Sequence, residues 1–387
     1  MAAKKSRSIS FNLIKSLASL FASPQSQNTE KNDNDKTETD HNNIRKIVGL
    51  RSLADIKSPI TVIFIHYHPN EYVSPGFAKL VQSACQSGFR AIFVSSSRPS
   101  KILSQIGNCP GLACIHRHNR GYDFGSLKDA RDTIRKHGLD TEGRYVVVNS
   151  SMLNLASEGF GKDPILDQLT RTNDKNDLLG ITASYEKSIY HIQTFFYSVS
   201  SHLFNSEDFE RFLQRYENGL QKTKLSPRDY AIKYGELSLS KFAINAGYKV
   251  DSIFSDFCLP SSKSYAEIES IHEDLQKLIP AYDSLDWSSS HPLASNPLKL
   301  QSEWLPRLGM HSNPVQSCWS LMLKRQFFFI KRELLEFSHP DGHHSPSVVA
   351  LLLPVLETLN ASIPEWSDLH YLPYITHSSK GGKKRNQ

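Results

Sequence analysis

The chain predicts an α/β fold: a mixed, mainly parallel sheet flanked by helices, followed by a mainly helical C-terminal extension. Three features carry that expectation. Short apolar, β-branched runs alternate with amphipathic stretches at the interval of β-α-β units. Polar and glycine-rich clusters fall just after those runs, where open α/β sheets bind ligands. The 387 residues, 39% apolar and 22% charged, suffice for one large domain and an accessory piece.

Residues 1–46 read as a tail and linker. The first 23 combine a basic start with Ile9, Phe11, Leu13, Ile14, Leu17, Leu20 and Phe21, and Lys15 interrupts the apolar run. A short amphipathic helix fits this better than a secretory leader. Residues 24–44, rich in Asn, Asp and Thr, are too polar to offset the entropy of folding. Ordered sequence is expected from about Ile47, with the main domain spanning 47–258.

Within that domain, residues 61–65 form an apolar strand between Pro59 and His66-Tyr67-His68-Pro69. Phe77, Leu80, Val81 and Ala84 then recur at helical spacing up to Gly88. A strand over 90–94, a helix over 99–106 and a strand over 112–115 follow. A helix over 126–137 ends at Gly138, and 145–148 form a fourth strand. Later elements are strands at 178–182, 190–199 and 248–253 and helices at 206–216 and 237–246. An extension over 259–375 is helical and aromatic, with 325–333 fitting a membrane-surface docking segment or, better, a buried helix whose basic residues reach solvent. Residues 376–387 form a basic tail.

The net charge of +6 comes largely from the two ends, as Lys4, Lys5 and Arg7 and then Lys380, Lys383, Lys384 and Arg385. Such tails fit solvated termini or peripheral contact with an anionic membrane, and no specific nucleic-acid site. Five cysteines without a two-residue gap predict reduced thiols in an intracellular protein. The longest apolar run outside the first residues, 348–356, is far short of the roughly 20 residues of a spanning helix. His339, Asp341, His343 and His344 lie in a Pro/Gly/Ser-rich stretch and read as a surface loop.

Four clusters carry chemistry. Asn119-Arg120-Gly121-Tyr122-Asp123-Phe124-Gly125 combines glycines that permit close backbone approach, a guanidinium for phosphate and a carboxylate for sugar or base hydroxyls. It equally fits a tight turn with Asp123 as a helix cap. Asn149-Ser150-Ser151 closes the fourth strand with neutral ligands, fit for phosphate or ribose and poor for a hard divalent cation. Glu236 begins an amphipathic helix, which suits an ionised general base or a simple cap. His191 and Gln193 alternate on one strand face, which fits contact with acceptor hydroxyls where that face borders a cleft and equally fits a polar edge-strand face. No Gly-rich phosphate loop follows the first strand, which disfavours a doubly wound nucleotide hydrolase.

Together these residues resemble the rhamnan synthesis protein F family, from about Thr61 to about Pro340. The resemblance is carried by His66-Tyr67 with Pro69, Asn119 to Gly125, Asn149-Ser150-Ser151, Gly180-Ile181-Thr182 and His191-Ile192-Gln193-Thr194-Phe195-Phe196. It continues through Glu236 with Gly247-Tyr248, Asn296-Pro297, and the run from Phe329 to Leu335. It implies a glycosyltransferase of the two-layer GT-A type, moving L-rhamnose from dTDP-L-rhamnose onto a lipid-linked glycan at the cytoplasmic membrane face by an inverting single displacement. Glu236 and Asp123 are then the catalytic candidates. His66, Tyr67, Asn119, Arg120, Gly121, Tyr122, Asn149, Ser150, Ser151, His191 and Gln193 are the substrate-binding candidates, with Arg120 and His66 as sources of positive charge. One departure stands out: Ser150 occupies the place of the family's usual Asp. This puts Mg²⁺ or Mn²⁺ in doubt, leaves Asp123 as the substitute carboxylate, and keeps open a non-catalytic reading, a glycan-binding or scaffold subunit of a polysaccharide-assembly complex.

Overall fold

The computed structural model describes residues 43–107, 109–155, 159–185, 189–255, 262–278, 314–332 and 354–355. The expected N-terminal amphipathic helix, the His339–His344 cluster, Asn296-Pro297 and the basic tail lie outside them, as does most of the expected extension.

Twelve strands occur among the described residues: β1 (Ile44–Val48), β2 (Ile60–His66), β3 (Arg90–Ser95), β4 (Leu112–Arg117), β5 (Arg144–Asn149), β6 (Met152–Asn154), β7 (Leu178–Gly180), β8 (Ala183–Ser184), β9 (His191–Ile192), β10 (Phe196–Ser200), β11 (Val250–Ser252) and β12 (Phe329–Lys331). Eight of them make one sheet in the order β1-β4-β3-β2-β5-β10-β7-β11. The centre, β4-β3-β2-β5, is parallel, as is β7-β11. The pairs β1-β4, β5-β10 and β10-β7 are antiparallel.

All seven residues of β2 are buried, as a strand covered on both faces requires. Alternation along β2 and β5 divides the core in two. Val62, Phe64, Val146 and Val148 face the Pro75–Gln86 helix, while Ile63, Ile65, Tyr145 and Val147 face the Tyr122–Lys136 helix. The chain leaves β2 toward β3 on one side and reaches β5 on the other, so the strand order reverses between β2 and β5. Such a reversal opens a crevice at the carboxyl ends of the two strands. His66 and Asn149 are their last residues.

Four expectations need correction. Order begins before Ile47, because Ile44 already pairs with Arg117 in an edge strand. The helix expected at 126–137 starts at Tyr122, so Tyr122 to Gly125 form its first turn. The strand expected over 190–199 is broken, because residues 193–195 leave the β8-β9 ladder and turn over the end of β5, where the Phe195 carbonyl accepts from the Asn149 amide at 2.9 Å. Finally, 329–331 is a strand and not a helix: β12 pairs antiparallel with β6, and the Phe329 ring packs edge-on against Phe196 at 4.7 Å. Val315, Cys318, Leu321, Met322 and Phe327 join the same apolar cluster, which covers this face of the sheet with sequence from far downstream. Among the described residues no helix is long and apolar enough to cross a membrane.

Candidate active site

The crevice between the ends of β2 and β5 is organised by short polar links. The Ser150 amide donates to the Ile65 carbonyl at 3.0 Å, and the Ser150 hydroxyl accepts from the Tyr67 amide at 3.3 Å, tying together the loops that follow the two strands. Asn149 is the hub. Its Oδ1 accepts from the Ser151 amide at 3.0 Å and hydroxyl at 2.5 Å, and its Nδ2 donates to Asp123 Oδ2 at 2.8 Å.

Asp123 stands in the first turn of the Tyr122–Lys136 helix, whose N-cap residue is Gly121 at φ 75°. Tyr122 also has positive φ, 48°, a conformation that costs a non-glycine residue about 1–3 kcal/mol and survives only where surroundings impose it. Here the imposing group is Arg117, a buried residue at the end of β4. Its guanidinium bonds the Arg120 carbonyl at 2.6 Å, Ser126 Oγ at 3.1 Å and the Asp129 carboxylate at 2.5 Å. The Tyr216 hydroxyl donates to the Gly121 carbonyl at 3.0 Å and closes the turn from the other side. Asn119 and Arg120 are exposed on this loop, so the Arg120 side chain remains at its rim.

Glu236 closes a π-helical turn, Ala231–Glu236, between the Pro227–Tyr230 and Leu237–Asn245 helices. The expectation of a carboxylate at a free helix start is therefore corrected: Glu236 sits inside a continuous helical run, without the full dipole of an N-terminus. A π-turn of this kind commonly marks a functional site. Gly235 sets its placement, because a Cβ there would lie 2.3 Å from the Phe124 ring. That close approach seats the π-turn on the turn that carries Asp123.

Burial pushes the Asp123 carboxyl up to about 6. The Asn149 bond opposes the rise, nearby Glu236 adds to it, and Arg117 counters it. Two carboxylates from distant parts of the chain therefore share one electrostatic environment. Burial, and then the charge of Asp123, raises the Tyr197 and Tyr216 hydroxyls too.

Other candidates sit differently. His66 is buried, with Nδ1 3.0 Å from Ser95 Oγ and Nε2 2.7 Å from the Tyr72 carbonyl. Burial holds its pKa down at about 3, so it is neutral and cannot supply the expected positive charge. His191 and Gln193 are each only 2% exposed, with His191 Nδ1 2.7 Å from the Ile189 carbonyl and Gln193 Oε1 accepting from Thr182 Oγ1 at 2.7 Å. The expected polar face open to acceptor hydroxyls is replaced by internal bonding. Tyr67, 50% exposed, and Tyr122, 38% exposed, stand at the surface beside the crevice.

Sequence reasoning missed Arg117, although an arginine closing an apolar strand just before a glycine-rich turn was a usable signal. It also missed Arg332, whose amide donates to the Ser151 carbonyl at 2.9 Å. Among the described residues no group of three His, Cys, Asp or Glu side chains could hold a metal ion. Asp123 with Asn149 and Glu236 falls short of a cation cage, and the elevated Asp123 pKa makes it a weaker ligand at neutral pH.

The family model for rhamnan synthesis protein F matches residues 92–274, a span holding the Asn119–Gly125 loop, Asn149-Ser150-Ser151 and Glu236. No curated protein matches the sequence. Among solved structures, a glycosyltransferase involved in glycosylating the major capsid of PBCV-1 aligns at 10% identity over 51% of this chain and 82% of its own, with a TM-score of 0.31. The glycosyltransferase GlyE of Streptococcus pneumoniae TIGR4 aligns in its apo form at 12% identity over 69% of this chain, with a TM-score of 0.32; the aligned part spans 62% of the GlyE chain.

Two outcomes follow from this geometry. Ionised Asp123 is disfavoured in the folded state, a penalty that is absent below the ordinary carboxylate range and complete above about pH 6. Asp123→Asn should therefore be more stable than the parent by about 1–3 kcal/mol at pH 8, with the gap closing by pH 4. Urea titrations across that range check this, and a pH-independent difference would contradict it. Gly235→Ala should cost about 1–3 kcal/mol in the same assay, since the Phe124 ring must move; an unchanged midpoint would show that the approach is not close.

Proposed function

We propose, from the match of residues 92–274 to the rhamnan synthesis protein F family model, that this chain is a glycosyltransferase of the GT-A type. Its donor is a nucleoside-diphosphate sugar, dTDP-L-rhamnose by the family's name, and its acceptor is a lipid-linked glycan met at the inner face of the membrane. The observation that supports this reading is the bond of Asn149 to Asp123 at the β2-β5 crevice, where an α/β sheet binds its ligand, with the Glu236 charge near enough to raise the Asp123 pKa.

In the proposed reaction Glu236 accepts the proton of an acceptor hydroxyl while that oxygen attacks the anomeric carbon. The bond from that carbon to the diphosphate oxygen breaks on the opposite face, the electron pair leaves with the diphosphate, and configuration inverts. A placed carboxylate base is worth about 10² to 10⁴ in rate. The hydroxyls of Ser150 and Ser151 offer neutral bonds to the donor, while Asn149, held by Asp123, fixes the turn that presents them.

A second reading, a non-catalytic glycan-binding or scaffold subunit, draws on Ser150 standing where the family usually has Asp. Nucleotide release separates the two. Purified protein given a panel of nucleotide sugars and glycan acceptors, with and without Mn²⁺, should release nucleoside diphosphate from at least one donor. Glu236→Gln should lower kcat by about 10² or more while changing donor Kd less than about threefold. Donor binding without turnover across the panel would favour the scaffold, and equal turnover by the variant would remove Glu236 from the mechanism.

A further inference from the structure

If the transferase reading holds, the leaving diphosphate must be met by positive charge, and the residues already placed at the crevice supply little of it. Asn149, Ser150 and Ser151 are neutral, and so is His66. Arg117 is buried, with its guanidinium committed to Asp129, Ser126 and the Arg120 carbonyl. Arg120 lies out at the exposed rim.

A different cation reaches the site from the opposite face of the sheet. Strand β12 runs antiparallel to β6, with Lys331 opposite Met152, and the next residue, Arg332, donates its amide to Ser151 at 2.9 Å. The backbone of Arg332 is thus bonded to the last residue of the Asn149-Ser150-Ser151 turn. Its side chain is half-buried there. The charge of Arg332 also contributes to lowering the pKa of His66 and of His68, the latter to about 4, after burial as the main cause in each. The guanidinium therefore acts on the carboxyl end of β2, while Ser151 ties its backbone to the end of β5. Asp123 and Glu236 approach that edge with the Tyr122–Lys136 helix and the other half of the core.

We propose that Arg332 is the cation that binds the donor diphosphate, gripping its oxygens from the β12 side while the two carboxylates serve the sugar and acceptor side. A guanidinium suits this because its planar fork can hold two phosphate oxygens at once and stays charged as negative charge builds on the leaving group. Arg332 takes no proton and forms no covalent bond in the transfer.

The test is calorimetric titration of the full chain with UDP, dTDP, uridine and thymidine. Arg332→Gln should weaken the preferred nucleoside diphosphate by about 10- to 100-fold and leave the matching nucleoside within about twofold. Arg332→Lys, which keeps the charge and the backbone bond, should recover part of the loss. Equal diphosphate binding by parent and Arg332→Gln would overturn the assignment alone. So would parallel losses for nucleoside and diphosphate, which would mark a structural role. A parent protein that binds none of the four would overturn the transferase reading and this assignment with it.

Discussion

The hydrogen bond from Asn149 to Asp123 joins the two halves of this molecule that matter. Asn149 is fixed by β5, the strand beside which the sheet reverses its order, and Asp123 by the first turn of a helix packed on one face. Without that bond the strand end and the glycine-rich loop would be separate features of an ordinary α/β protein. With it, a carboxylate is held half-buried over the crevice at a pKa of about 6, next to a second carboxylate from a helix more than a hundred residues later. Burial disfavours the charge of Asp123, and the amide of Asn149 offsets part of that cost.

The surrounding structure is arranged to keep this contact in place. Arg117 spends its whole guanidinium on the loop and helix that present Asp123, and the positive φ of Gly121 and Tyr122 is the conformational consequence. Gly235 brings the π-turn against Phe124 and so positions Glu236. On the other face, Phe327 and Phe329 pack against Phe196 and anchor β12, which delivers Arg332 to Ser151. Three separate packing arrangements converge on one sheet edge, a pattern expected of a site that must exclude water and hold its groups still.

Much of the fold was legible because parallel strands buried on both faces read as unbroken apolar runs bounded by Gly, Pro and polar residues, as in β2 to β5. The meeting of Asp123 and Asn149 was legible for the same reason, since polar clusters after such strands lie at one end of the sheet, whereas Glu236 follows no strand and its place beside them was pointed to by the family resemblance alone. Short or long-range features were not. β12 is three residues long and pairs with a strand far back in sequence, so neither periodicity nor length distinguished it from a helix. The early start of the Tyr122–Lys136 helix depends on Arg117 and on the positive φ of Tyr122, which local propensity disfavours in a non-glycine residue. His191 and Gln193 alternate as a pair facing a cleft would, yet both are buried, bonded to the Ile189 carbonyl and to Thr182. His66 looked cationic by residue type, and only its burial in the folded chain makes the ring neutral.

The most direct measurement is a crystal structure of the protein soaked with a nucleoside diphosphate and an unreactive sugar analogue. The phosphates should lie over Asn149-Ser150-Ser151 at the carboxyl ends of β2 and β5, with Arg332 on one side and Asp123 and Glu236 on the other. A nucleotide seated elsewhere on the molecule, with Glu236 remote from the sugar, would contradict the proposed site.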